Sequence, residues 1–575
     1  MGLVPHVSIP KENMKRASCW NAFVVVLAAC TGEIGTPISG VPSGGTGSTG
    51  TGTTTGGGTN GPSSLLGLAP GPTPTARLHK LTTFEFANSL HDLLGSAVPV
   101  APVETDYLVN GFATIGASTV TASPAGVGLY ETAIAGATSY AFADATRAAT
   151  ALSCVPKATT DTACLTQAVN AFGRRAFRRP LTATETMRYV DLVTTIGNQA
   201  GSDILTGLRY GVSAILQSPK FLYRLELGAP NEADGGRVKY GSFEVASRLA
   251  ATLWSSVPDD AVLDAAAQDS LATPDGIRVQ AIRMLADQRV HRALASFVDQ
   301  LFDARLLPEA DKDAQMFPAF TPTLRSAMQQ EIQLRFDDLV YGQKGDYLSI
   351  FESRTTFVNN ELARFYGVPE AMPDTFHRVE LPADSPRVGL LGSGMVLAVH
   401  ARPQRTSPTL RGRFVNEMLL CRTIPPPPPG VPPFPEAADA NATVRDRLTM
   451  HRVSPTCASC HGIMDPIGFG MENFDSSGKY QTTDNGKTID ASGEIDGMAF
   501  TNLATLGAVI KREPVAGPCL ISKLYASALG RTPIALDSVA LDRLAERFAA
   551  AGNKVDQLLV DLVTSDSFRF VEPPK

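Results

Sequence analysis

The chain has 575 residues, 43% of them hydrophobic and 18% charged, with a formal net charge of −6. That length exceeds one ordinary core and implies several modules, with enough apolar side chains to bury them. A small negative balance without a long basic run excludes electrostatic capture of nucleic acid. Arg174, Arg175, Arg178 and Arg179 are the one dense basic cluster, which reads as a solvated or carboxylate-paired helix end, with an anion site as the second reading.

Met14-Lys15-Arg16 precedes an apolar run from Ala22 to Ala29 that closes at Cys30. The run is too short to span a bilayer and reads as an export signal, better formed if translation starts at Met14. Leu27-Ala28-Ala29-Cys30 resembles the lipobox of bacterial lipoproteins, which makes Cys30 the expected lipidation site. Residues 31–75 are mostly Gly, Ser, Thr and Pro, and bury too little to offset the entropy of ordering. The expectation is a globular body tethered to a bacterial membrane by a lipid, on the periplasmic or cell-surface side.

Ordered structure is predicted from Arg77 onward. Phe84, Phe86, Leu90, Leu93 and Leu94 keep helical spacing and stop at Gly95. Residues 101–125 lack a period and read as loop, and 127–150 as Ala-rich helix. Further helices fit 183–198, 203–217, 242–256, 259–267, 275–287, 289–304 and 322–342. Trp254 is assigned to the core, and His291, His377 and His400 stand alone, with no partner in the sequence pattern.

Beyond Arg387 a helix ends at Cys421, and Pro425 to Pro429 form a stiff extended spacer, with a partner ligand as the second reading. A helix over 440–452 leads to Cys457-Ala458-Ser459-Cys460-His461. Residues 464–475 look like a breaker-rich loop, and Asp484-Asn485-Gly486 turns a small hairpin. Asp484, Asp490, Glu494 and Asp496 do not match a calcium loop and read as turn residues.

Helices over 502–511, 518–529, 536–550 and 554–564 close the chain. Phe177-Arg178-Arg179-Pro180, two helices and Ser218-x-x-Phe221 are echoed by Leu529-Gly530-Arg531-Thr532-Pro533, two helices and Ser565-x-x-Phe568, a diverged repeat. Almost nothing alternates like a strand. The expected fold is mainly α: a multi-module helical array with a small cytochrome-c-like segment and one short β-hairpin. Its modules are a signal with lipobox (1–30), a linker (31–75), N-terminal helical modules (76–230), a central helical module (231–345), a module with spacer and motif (346–500) and a C-terminal helical module (501–575).

The C-x-x-C-H motif carries the chemistry. In covalent haem attachment both cysteines become thioethers to the vinyl groups and the adjoining His461 becomes the proximal iron ligand. The same three residues also suit a redox disulfide at Cys457 and Cys460, or part of a zinc site. No Ser/His/Asp, paired-carboxylate or H-E-x-x-H arrangement can be assigned, so the sequence defines no catalytic residues.

Taken together, several motifs resemble the modular secreted proteins of unknown function that carry a planctomycete-type cytochrome-c-like motif. They include Phe177 to Thr182, Ser218 to Arg224, Leu253-Trp254-Ser255-Ser256-Val257-Pro258-Asp259-Asp260, Thr406-Ser407-Pro408 to Gly412, the proline run, the motif and Asp465-Pro466-Ile467-Gly468-Phe469. The resemblance implies export, a largely helical body and a haem c site, with no substrate attached.

In that reading Cys457 and Cys460 anchor the haem, the Pro466 carbonyl orients His461, and Met498 or His451 supplies the sixth ligand. Setting aside Cys19 in the signal, Cys30 and the haem pair leaves four cysteines, which pair as Cys154–Cys164 and Cys421–Cys519. The function expected is electron transfer, or a haem-bearing subunit of a redox complex with an exported protein partner. The second reading is a non-redox exported binding or scaffold protein whose motif is a structural disulfide or zinc site.

Overall fold

The computed structural model describes residues 77–228, 233–234, 237–368, 373–425 and 441–571. The signal, the lipobox with Cys30, the linker and all but the first proline of the spacer lie outside the described residues. Contacts group residues 62–575 into one compact unit.

Strand β1 (Arg77–Lys80) runs into helix α1 (Thr83–Leu94). Thr82 caps α1 and Glu85 reaches back to the Thr82 N–H at 2.9 Å, so both ends of the capping pair are satisfied. Phe86, Leu90 and Leu93 line its buried face, and Gly95, at φ 110°, ends it. After α2 (Ala113–Ala117), α3 (Pro124–Ala141) and a short helix over Ala145–Ala151 come α4 (Thr162–Ala176), α5 (Ala183–Gln199) and α6 (Ile204–Leu216). One further helical turn leads to β2 (Tyr223–Glu226), which returns to pair antiparallel with β1, Leu78 opposite Leu225.

The second unit repeats that plan around a long insertion. Strand β3 (Arg237–Lys239) enters α7 (Ser242–Trp254), where Glu244 reaches back to the Gly241 N–H at 2.8 Å as Glu85 does to Thr82. At the far end come α13 (Ala516–Leu529), α14 (Ser538–Ala550), α15 (Val555–Thr564), one helical turn and β4 (Phe570–Val571). There β4 pairs with β3, Phe570 opposite Lys239. The repeat extends to its ion pairs: Arg179 grips Glu185 at 2.9 and 3.0 Å, and Arg531 grips Asp537 at 2.6 and 2.8 Å, each six residues on.

Between α7 and α13 lie α8 (Arg289–Leu301), α9 (Pro322–Asp337), α10 (Pro408–Phe414), α11 (Val444–His451) and α12 (Pro455–Phe469). One core gathers residues from Leu81 to Phe221 together with Val257, and the larger one fills the second unit and takes in Phe112 and Ile115, with Trp254 fully buried. The fold is mainly α. Strand pairing goes further than one hairpin, because among the described residues five small sheets of two or three short strands seal the ends of helical units.

Two further expectations are corrected. Residues 464–469 are not loop, since α12 continues through Pro466 to Phe469. Packing overrides the proline: a Cβ on Gly412 would lie 1.8 Å from the Met464 carbonyl oxygen and one on Gly468 1.9 Å from that of Pro408, so α10 and α12 touch along their backbones. The stretch 101–125 holds the short α2. The basic cluster is carboxylate-paired in part: Arg174 reaches Asp260 at 3.4 Å and Arg179 reaches Glu185, whereas Arg175 and the buried Arg178 donate to backbone carbonyls.

Candidate functional site

α12 begins one residue after Ser454 and carries Cys457, Cys460 and His461 on its first turns. Spacings of three and four residues put all three on one side of the helix. Both thiols are free and half-buried, whereas Cys154–Cys164 and Cys421–Cys519 are disulfides, as cysteine arithmetic predicts. The Cys460 Sγ lies 3.8 Å from the Pro425 carbonyl, where the proline run begins.

His461 is held by its own helix. Its Nδ1 lies 3.0 and 3.1 Å from the two oxygens of Asp465, one turn on, and Asp465 is fully buried. Thr409 of α10 donates to the same carboxylate at 2.8 Å. A carboxylate only accepts, so the Nδ1 carries the proton and the Nε2 lone pair is left as the ligating atom. This corrects the expected role of Pro466: the imidazole is oriented by Asp465, and the Pro466 carbonyl faces Gly493, where a Cβ would come within 2.3 Å of it.

Of the two candidates for a sixth ligand, the structure brings His451 to His461 and puts Met498 elsewhere. The imidazoles of His451 and His461 meet edge to face, centroids 4.8 Å apart. Burial, then the neighbouring His461, lowers the pKa of His451 below the usual imidazole value. Met498 sits opposite Ile495 in a short hairpin and packs against the main core.

The platform beneath α12 is organised by Arg411, which sequence reasoning passed over. It is fully buried, and its guanidinium donates to the carbonyls of Leu397, Met471, Phe474 and Asp475 at 2.8–3.1 Å. It also pairs with Glu472 at 3.3 Å. Burial outweighs that pairing and pushes the Glu472 carboxyl up to about 7. The available signal was slight: Arg411 and Arg413 share the short helix Pro408–Phe414, and nothing in the spacing says which of the two is buried.

The surroundings are apolar and open. Met450, Val453 and Ile463 are 57%, 81% and 43% exposed, and Gly462 has open space where a Cβ would stand. Among the described residues no three His, Cys, Asp or Glu side chains converge as a tetrahedral metal site would need. Two thioether-forming thiols, an imidazole presenting Nε2 and an apolar fringe fit a haem, which needs no such convergence. The acidic residues nearby are occupied as turn and pairing groups: Asp484 accepts from the Val444 N–H at 2.6 Å, and Asp496 pairs with Arg422 at 2.7 Å.

Four family models match, each described as a protein of unknown function: DUF1595 over residues 164–226, DUF1592 over 241–368, DUF1588 over 387–484 and DUF1585 over 496–568. No curated protein and no solved structure matches the chain. The motif falls inside the third segment, and the first and fourth cover the closing helices of the two repeated units. The chain is thus a multi-module protein whose four matched segments are each similar to a family of unknown function.

Proposed function

We propose that this is an exported, lipid-anchored protein carrying one covalent haem c on α12, serving electron transfer or a larger redox complex. The observation that carries the proposal is the Asp465–His461 pair beside two free thiols: it fixes the tautomer a metal-ligating histidine requires. Cys457 and Cys460 hold the group, His461 ligates through Nε2, and Met450, Val453 and Ile463 cover its apolar edge. When bound, haem supplies a reversible one-electron centre. Buried Asp465 keeps the imidazole electron-rich, which favours the oxidised state.

The test is expression of the whole chain with cytochrome c maturation machinery, followed by haem staining and a visible spectrum. A covalent Soret-absorbing species that disappears in Cys457→Ala/Cys460→Ala supports the proposal, and a colourless protein sinks it. Mass spectrometry of membrane-extracted protein tests the anchor, since an unmodified Cys30 removes it.

One observation favours the second reading, a non-redox exported binding or scaffold protein. The His451 and His461 rings are in contact, so the motif is already packed as a helix-to-helix joint. A colourless protein after expression with the maturation machinery, together with lost stability in the double cysteine variant, would support that role.

A further inference from the structure

A cavity of about 470 Å³ lies between the opening helix of the first unit and α7, α8 and α13 of the second. Most of its wall is apolar, with Phe84, Leu253, Leu294 and Phe297 among the side chains that face it. A pocket of this size where two units meet, apolar with a few polar groups, has the form of a small-molecule site.

Its polar groups carry an imbalance. Asp106 accepts from the Thr83 N–H at 2.9 Å and hydroxyl at 2.8 Å through Oδ2, while its Oδ1 is buried without a partner. The Thr114 hydroxyl is likewise buried and unpartnered. Asp299 accepts only from the neutral amides of Gln329 and Gln333, at 2.8–2.9 Å. Among the described residues neither carboxylate has an ion pair.

The neighbouring cations already have carboxylate partners, although the Arg224 Nε donor is buried without one. Arg224 pairs with Glu226 at 3.3 Å and Glu85 at 3.8 Å, Arg305 with Asp303 at 3.8 Å, and Lys80 with Glu104 at 3.7 Å. Burial raises the carboxyl pKa of both Asp106 and Asp299, as expected for carboxylates held by neutral donors alone. An unpartnered buried oxygen is destabilising, and a buried charge left without a counter-charge is more so. A ligand that removes both costs must bring a positive charge, and the walls require it to bring apolar surface.

We propose that this cavity binds an organic amine, its ammonium group against Asp106 Oδ1 and the Thr114 hydroxyl and its apolar body along Leu253, Leu294 and Phe297. The site is separate from the cysteine motif and stands whether or not haem is attached there. Asp299 supplies a second acidic contact for ligands with more than one amino group.

Isothermal titration of the full-length protein with 2-phenylethylamine, 2-phenylethanol and 3-phenylpropionate tests this. The amine is expected to bind at least tenfold more tightly than the alcohol, and the carboxylate not at all. Asp106→Asn should weaken the amine tenfold or more and leave the alcohol unchanged, and Asp299→Asn should weaken a diamine such as 1,4-diaminobutane more than the monoamine. Equal binding of amine and alcohol, undiminished amine binding in Asp106→Asn, or no amine binding up to millimolar concentration overturns the proposal and leaves Asp106 Oδ1 to water. Should Asp106→Asn fail to fold, the contrast between amine and alcohol in the unsubstituted protein still decides it.

Discussion

His451 and His461 stand edge to face at the joint between α11 and α12, ring centroids 4.8 Å apart. Two imidazoles this close resist carrying two positive charges, and burial adds to the effect on His451. His451 should therefore titrate below the usual imidazole midpoint of about 6.5. In His461→Gln the midpoint should rise, though burial keeps it from full recovery. Proton NMR of the ring signals across pH 4–8 measures both, and an unchanged midpoint would refute the coupling.

Asp465 is buried with a threonine hydroxyl and an imidazole as partners. Asp465→Asn exchanges charge-assisted bonds for neutral ones and should cost about 1.5–3 kcal/mol in urea unfolding. Thr409→Val removes one donor and should cost about 1 kcal/mol. If the haem proposal holds, Asp465→Asn also raises the reduction potential, a readout that lost stability alone would not move.

Backbone contact between α10 and α12 makes Gly412 and Gly468 intolerant of any side chain. Alanine at either position meets a carbonyl oxygen closer than 2 Å. Each should destabilise by roughly 3 kcal/mol, the upper part of the range for overpacking, because backbone cannot step aside as a side chain can. Gly462→Ala, facing open space on the same helix, is the control and should be neutral or slightly stabilising.

The Cys421–Cys519 disulfide closes a loop with a sequence separation of 98 residues, tying the end of the α10 segment to α13. Chain entropy assigns a loop of that size about 4–5 kcal/mol. Cys421→Ser/Cys519→Ser should lose most of that stability, whereas removing Cys154–Cys164, with a separation of 10, should cost about 3 kcal/mol or less. Thermal unfolding under non-reducing conditions ranks the two.

Around Arg411, two buried groups oppose each other in their response to acid. His400 is pushed down to about 3, mainly by burial and then by the charges of Arg411 and Lys312. Unfolded, it takes a proton near 6.5, so its contribution is lost as pH falls from there toward 3. Glu472, pushed up to about 7 by burial, binds its proton earlier when folded than the 4.3 or so of an unfolded glutamate, so stability is gained as pH falls between those values. Glu472→Gln should therefore steepen the loss of stability between pH 7 and 4.5. His400→Phe, which keeps the stack on Phe414 at 4.3 Å and removes an unpartnered buried nitrogen, should flatten or invert it. Urea midpoints at half-unit pH intervals test both slopes.

Much of this architecture was legible because helical spacing is local. Phe86, Leu90 and Leu93 announce α1, and the export-compatible cysteine count leaves few pairings. What escaped was non-local or brief. Strands of two to four residues such as β1 and β4 have no room to alternate, and exist because each finds a partner far along the chain. The opening half of the repeat was readable in Leu81-Thr82-Thr83-Phe84-Glu85-Phe86-Ala87 against Tyr240-Gly241-Ser242-Phe243-Glu244-Val245-Ala246, yet only the closing halves stand out by their Arg-Pro and Ser-x-x-Phe punctuation. At the site, cysteine spacing located the motif, while the Asp465 clamp needed the helix to run on through Pro466, against local propensity.

Pairing of β4 with β3 has a consequence for how the molecule is made. The second unit closes only when β4 reaches β3, because the strand that completes it lies on the far side of the long insertion. Until then α7 lacks the helices that cover it, and the whole insertion with Cys457, Cys460 and His461 is carried on an open frame. Such a long-range pairing carries a larger loop-closure cost than that of β1 with β2, so the second unit is expected to close after the first.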